Sequence, residues 1–287
     1  MERISISSCM LAALITVHCA AQAGQEVNPN PPTPDPSESL APAKGSNGKW
    51  GYQDKSGTFI VPPQFDRAER FSEGLAVVGL KEKFGYIDMS GHIAIPVRFV
   101  HAASFSEGLA LVHTTWGMNL LGKVEGVWLF GRAGYIDHEG KFVITPRLVE
   151  NAKDFSQGLA AFEPGPSSWG TAKWGYLDKA GRWAIKPQFD VAGSFSEGMA
   201  PVAVFLDKKS NREKWGYIDQ AGKLQIPAQF DGAQAFHQGV AKVFVAEKDA
   251  KFEHMHHPKW QFWGCIDRAG ETVKCPAKPA QQQNLGE

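Results

Sequence analysis

Trp50-Gly51-Tyr52-Gln53-Asp54-Lys55-Ser56-Gly57, then Thr58-Phe59-Ile60-Val61-Pro62-Pro63-Gln64-Phe65-Asp66, then Phe71-Ser72-Glu73-Gly74-Leu75-Ala76-Val77-Val78: the order of these residues decides the fold, because it returns along the chain. It restarts at Phe84-Gly85-Tyr86-Ile87-Asp88, Ala133-Gly134-Tyr135-Ile136-Asp137, Trp174-Gly175-Tyr176-Leu177-Asp178 and Trp215-Gly216-Tyr217-Ile218-Asp219. A last half-copy runs from Trp263-Gly264-Cys265-Ile266-Asp267 to Cys275. The motif glycines stand 34, 49, 41, 41 and 48 residues apart, a period typical of repeat architectures.

Each recurring position has a local reason. Asp54, Asp88, Asp137, Asp178, Asp219 and Asp267 all precede a glycine by three residues. Asp at the first and Gly at the fourth position signals a type I turn, with the carboxylate accepting from the turn backbone. The glycine can take positive φ and join two strands through a bulge. The W-G-Y segment is therefore read as one strand and the run after the turn as its partner. Pro62, Pro96, Pro146, Pro187 and Pro227 are expected to end that partner, since proline cannot donate to a ladder. Gly-Leu-Ala-x-Val supplies a third strand, and the segment from Phe65 to Phe71 a short fourth. The fold class is all-β: six three- or four-stranded meanders. A propeller-like ring is favoured, because it leaves no exposed end units and no distinct cap sequence stands at either end. An open β-solenoid is the alternative.

The pattern resembles the WG-repeat family, whose units read roughly K-W-G-Y-I-D-x-x-G-K-x-x-I-P-x-x-F-D-x-A-x-x-F-S-E-G-L-A-x-V. The resemblance covers residues 50–275 and implies a β-rich, repeat-built protein. Phe84 and Ala133 replace the motif Trp, Val100 and Val149 replace the Asp, and Leu148 replaces the Phe. The motif Trp and Phe are expected in the core, since each unit must bury an apolar face against its neighbours.

Outside the repeats, residues 1–23 read as a secretory signal peptide, with an apolar stretch from Ile4 to Val17 and an Ala21-Gln22-Ala23 cleavage site. A periplasmic or secreted protein, without an integral membrane segment after cleavage, is the expectation. Residues 24–48 form a proline-rich linker, residues 49–275 the repeat domain and residues 276–287 a disordered tail. The mature chain keeps Cys265 and Cys275, which flank one hairpin; a disulfide and two independent buried thiols are both open.

Lys+Arg and Asp+Glu both total 30, so no excess of positive charge points to nucleic acid. No phosphate loop, H-E-x-x-H or G-x-S-x-G is found, so no catalytic residue, cofactor or metal is assigned. The repeated Asp and Glu follow turn chemistry, whereas a catalytic pair would occur once. Specificity is expected in four insertions between the third strand and the next W-G-Y strand: 113–132, 163–172, 205–213 and 246–262. They carry Trp116, Trp128, Trp169 and Trp260, candidate ligand contacts, with longer strands whose rings cover the hairpins as the plainer reading. His254, His256 and His257 lack a completing ligand, so a polar loop is preferred to a metal site there. The expected function is a non-catalytic module binding a protein or cell-wall polymer. The alternative is an extracellular hydrolase using insertion acids such as Glu125, Glu163, Asp207, Glu213, Glu247, Asp249 and Glu253.

Overall fold

The computed structural model describes residues 39–115, 131–165, 172–207, 212–245 and 263–276. Among the described residues, strands follow one another without a helix between them. The first sheet holds β1 (Ala41–Lys44), β2 (Trp50–Gln53) and β3 (Phe59–Phe65); the second holds β4 (Arg67–Ser72), β5 (Leu75–Leu80), β6 (Lys83–Ile87) and β7 (Ile93–Phe99). β8 (His101–Ala102), β9 (Ala110–Thr115), β10 (Arg132–Ile136) and the first part of β11 (Phe142–Ala152) make the third. β11 pairs with β10 as far as Leu148, then with β12 (Leu159–Pro164) from Val149, so it also opens the fourth sheet with β13 (Trp174–Asp178) and β14 (Trp183–Phe189). The fifth is β15 (Val191–Ala192), β16 (Met199–Asp207), β17 (Arg212–Asp219) and β18 (Leu224–Phe230). The sixth is β19 (Gly232–Ala233), β20 (Val240–Phe244), β21 (Trp263–Asp267) and β22 (Thr272–Val273).

All pairings are antiparallel meanders, and the sheets are out of phase with the sequence repeat. The first two strands of a sheet close one repeat and the last two open the next. The Asp-x-x-Gly turns form as expected: Gly181 N donates to the Asp178 carbonyl at 2.9 Å, Asp178 Oδ1 accepts from Ala180 N and Arg182 N, and Gly181 has φ +74°.

Two expectations about strands need correction. Strands do not end at the motif prolines; β3 runs through Pro62 and Pro63, and β14 through Pro187. The prolines lie where a second ladder is not needed and where the chain bulges. Trp174 pairs with Phe189 but Tyr176 with Ile185, so two steps on β13 oppose four on β14. The bulge brings the Ile185 carbonyl against Gly175, where a Cβ would lie 2.6 Å from that oxygen. The glycine of W-G-Y is therefore fixed by a backbone approach. The proline-rich segment, read as linker to residue 48, in fact yields β1, whose Ala41, Pro42, Ala43 and Lys44 pair with β2. Pro42 is the only proline in those four residues, so enough donors remain for a short edge strand.

Five apolar cores lie between consecutive sheets. Their centres are the motif tyrosines: Tyr52, Tyr86, Tyr135, Tyr176 and Tyr217 are fully buried. Of the motif tryptophans, Trp174 is buried in its core as expected, whereas Trp50 and Trp215 are half-buried. Each tyrosine hydroxyl donates across the interface to a carbonyl of the next sheet: Glu69, Ala103, Lys153, Gly193 and Gln234, at 2.7–2.8 Å. Burial pushes these phenols well above their ordinary pKa, so the donors keep their protons.

The end sheets depart from this pattern. In five sheets a buried alanine faces a buried Ile or Leu: Ala76 with Ile87, Ala110 with Ile136, Ala160 with Leu177, Ala200 with Ile218 and Ala241 with Ile266. In the first sheet that pair is Ala41 with Gln53, exposed and half-buried. Toward the following sheet, Val77–Tyr86 and Leu111–Tyr135 are buried pairs, while the sixth sheet offers Lys242, exposed, opposite Cys265. Cys265, at the position of the motif tyrosine, is bonded to Cys275, with Cα atoms 5.2 Å apart. The all-β repeat architecture is as expected; the sequence reading missed these polar positions on the end sheets. Among the described residues no core cluster joins the sixth sheet to the first.

Candidate functional site

The antiparallel order sends chain reversals to two opposite ends of the sheets. At one end lie all the Asp-x-x-Gly turns and all the Ser-Glu-Gly turns. At the other lie the connections between the third strand of a repeat and the next W-G-Y strand.

The first end is occupied by its own hydrogen bonds. Ser72, Ser106, Ser156 and Ser196 donate through Oγ to the carbonyls of Phe105, Phe155, Phe195 and Phe236 on the following sheet, at 2.6–2.8 Å. Glu73, Glu107, Gln157 and Glu197 accept from the backbone N–H of Gly108, Gly158, Gly198 and Gly239 in the same way. Each of those four side chains sits at φ between +52° and +55°, strain of about 1–3 kcal/mol per residue that the next turn holds in place. His138 reaches Glu73 at 3.1 Å and stacks on Phe105, and Lys179 Nζ donates to the Glu107 carbonyl at 2.7 Å. In the sixth sheet the serine position is His237.

At the second end the described contacts are ion pairs near the strand ends. Lys49, Lys173 and Lys214, one residue before the motif Trp, pair with Asp66, Asp190 and Asp231, one residue after the motif Phe. Asp66 also accepts from Lys81 N at 2.9 Å and Asp190 from Phe205 N at 2.8 Å, so these carboxylates tie down the strand ends from which the connections leave. The second repeat breaks the rule: Lys83 has Val100 where the aspartate would be. The neighbouring surface holds a cleft of about 480 Å³ between the second and third sheets, with Arg67, Lys81, Glu82, Phe84, Val100 and His101 on its walls. His101 and His113 have ring centres 5.5 Å apart. Burial, then the neighbouring His101, pulls His113 below the usual imidazole range.

Trp116, Trp128, Trp169 and Trp260 lie outside the described residues, as do His254, His256 and His257. The described residues flanking their segments, Thr115 and Gly131, Gly165 and Ala172, Val245 and Trp263, sit at the second end. The 205–213 insertion is mostly longer strand: Phe205 pairs with Glu213 and Asp207 with Arg212. Two acids named for a hydrolase have structural contacts: Glu163 accepts from Asn151 at 2.6 Å and Glu213 from the Trp215 indole at 3.1 Å. Among the described residues no group of three His, Cys, Asp or Glu could hold a metal ion, and no helix is long and apolar enough to cross a membrane.

The tyrosine pins and the Lys–Asp pairs were missed in the sequence. The pairs were legible there, since a basic residue before the motif Trp recurs with the Asp seventeen residues on and meets Val100 and Val149 in the second and third repeats.

The model of the WG containing repeat matches residues 50–84, 84–112, 134–163, 174–204 and 215–248. The chain belongs to the WG-repeat family. No curated protein matches this WG-repeat protein. Among solved structures it is similar to a eukaryotic initiation factor (10% identity, 81% of this chain and 72% of that one, TM-score 0.39). It is also similar to a puromycin hydrolase (10%, 82% and 44%, 0.41) and to a protein of unknown function from Bacteroides caccae (12%, 82% and 91%, 0.32). With TM-scores this low, these likenesses contribute nothing to the functional assignment.

Proposed function

We propose that this WG-repeat protein is an exported, non-catalytic binding module that holds a protein or cell-envelope polymer at its loop end. One observation carries the reading. The turn end spends the side chains that recur from repeat to repeat on the next sheet, while the opposite end receives the connections that break the template. Side chains already engaged in folding are poor ligand contacts, and variable connections on a rigid scaffold are where binding residues concentrate. The signal-like segment 1–23 and the Cys265–Cys275 disulfide both suit an oxidising compartment outside the cytoplasm.

The test replaces residues 117–129 by a short Gly-Ser linker and measures retention on the envelope fraction of the source cells. Retention should fall while the melting curve stays cooperative. Unchanged retention would count against the loop end as the binding surface.

A further inference from the structure

We infer that the cleft between the second and third sheets is a binding site for a carboxylated sugar, held by its carboxylate and one ring face. The inference rests on the loop-end reading and names a ligand class for part of that end.

Four features of the chain meet here, and none is required by the repeat. The first is Gly79, which stands where other repeats carry His113, Glu163, Ala203 or Phe244. A Cβ at Gly79 would lie 3.2 Å from both Arg67 Cβ and the Phe84 ring, so the missing side chain forms the floor. The second is Phe84 in place of the motif Trp; its smaller ring has the Arg67 guanidinium 5.9 Å from its centre and the His101 ring at 6.2 Å. The third is the connection Lys81-Glu82, which reverses the chain with φ +47° and +64° and no glycine. Two adjacent left-handed residues without glycine are strained, and such strain clusters at ligand sites. The fourth is charge. Asp66 already pairs with Lys49 and accepts from Lys81 N, and Val100 removes the acid that Lys83 would meet. Glu82 is then the remaining wall carboxylate beside Arg67, Lys81 and His101.

A guanidinium at the wall suits two-pronged recognition of a carboxylate. The Arg67 guanidinium lies over the Phe84 ring; drawn to a ligand carboxylate, it uncovers an apolar face for the CH side of a pyranose, and His101 can donate to or accept from hydroxyls. About 480 Å³ is within the range of small-ligand sites. Inorganic phosphate could use the same cations but has no face to stack.

The test titrates the full chain, by calorimetry, with a galacturonate trimer and separately with inorganic phosphate. The trimer should bind, and Arg67→Ala should weaken it roughly tenfold to a hundredfold, the scale of a lost charge-assisted pair. Gly79→Val keeps every charge and needs no positive φ; its crowding against Arg67 and Phe84 should lower melting by a few degrees, and the variant, still folded with a cooperative melt, should no longer bind the trimer. Phosphate should bind far more weakly than the trimer. No trimer binding, or binding that survives both substitutions, overturns the proposal; phosphate binding as tight as the trimer overturns the sugar assignment. Envelope retention of Gly79→Val separates the readings: retained protein with a blocked cleft leaves the loop-end function standing and confines the cleft to a separate ligand.

Discussion

Tyr176 illustrates how much of this fold rests on single side chains. Its ring is fully buried, and its hydroxyl supplies a donor to the Gly193 carbonyl of the next sheet at 2.8 Å. Tyr176→Phe keeps the ring and strands that carbonyl, which should cost about 1–3 kcal/mol in a urea titration. At the turns, Gly181→Val combines positive φ with a Cβ 3.1 Å from Ile144 of the preceding sheet, and should cost at least roughly 1–3 kcal/mol. Lys55→Ala, at an exposed turn position, is the silent control; Lys179 is unsuitable because it bonds the Glu107 carbonyl. The turn aspartates also set an acid limit. The Arg182 N–H holds Asp178, and the Ser56 hydroxyl Asp54, below the usual carboxylate range. Their folded pKa is depressed, so their contribution is full above the unfolded value of about 3.9 and is lost as pH falls through the lower folded value. Asp178→Asn should flatten the acid side of a melting-temperature profile; an unchanged profile would contradict the assignment.

At the scale of strands and sheets, legibility followed distance along the chain. The strands, turns and fourth short strand could be read from the repeat because Asp-x-x-Gly and alternating apolar residues act within a few positions. The phase of the sheets could not, because β5 joins β6 of the next repeat, and a repeat has no intrinsic start. The polar positions on the end sheets were overlooked for a related reason. Gln53 and Lys242 look like ordinary polar substitutions until their register partners are known. The sixth sheet supplies the test. Its β22 has only two residues, and the Cys265–Cys275 bond closes a ten-residue separation. Reduction, or the double substitution Cys265→Ser and Cys275→Ser, should cost about 2–3 kcal/mol by chain entropy. Hydrogen exchange should rise in β20 to β22 while β5 to β10 stay protected. Uniform loosening of all sheets would show that the bond is no local cap.

Across the whole molecule, the proposed function assigns folding to one end of the sheets and binding to the other. The four candidate tryptophans lie outside the described residues; the described residues that flank three of the insertions sit at one end, because insertions at one position of a meander leave from one end. Export is part of the same account: intact-mass analysis of protein recovered outside the cytoplasm should give a chain beginning at Gly24, and full-length protein keeping Met1 would contradict it. The most direct test compares the ends by measuring both melting temperature and retention on the native envelope fraction. Replacing Trp116, Trp128, Trp169 and Trp260 by Ala should cut retention at least roughly tenfold and move melting by no more than a few degrees. Replacing Ser106 and Ser156 by Ala should lower melting yet leave retention of the folded protein intact. The opposite pattern, with loop variants that melt early but are retained and turn variants that stay folded but are not, would contradict the division of the molecule into a folding end and a binding end.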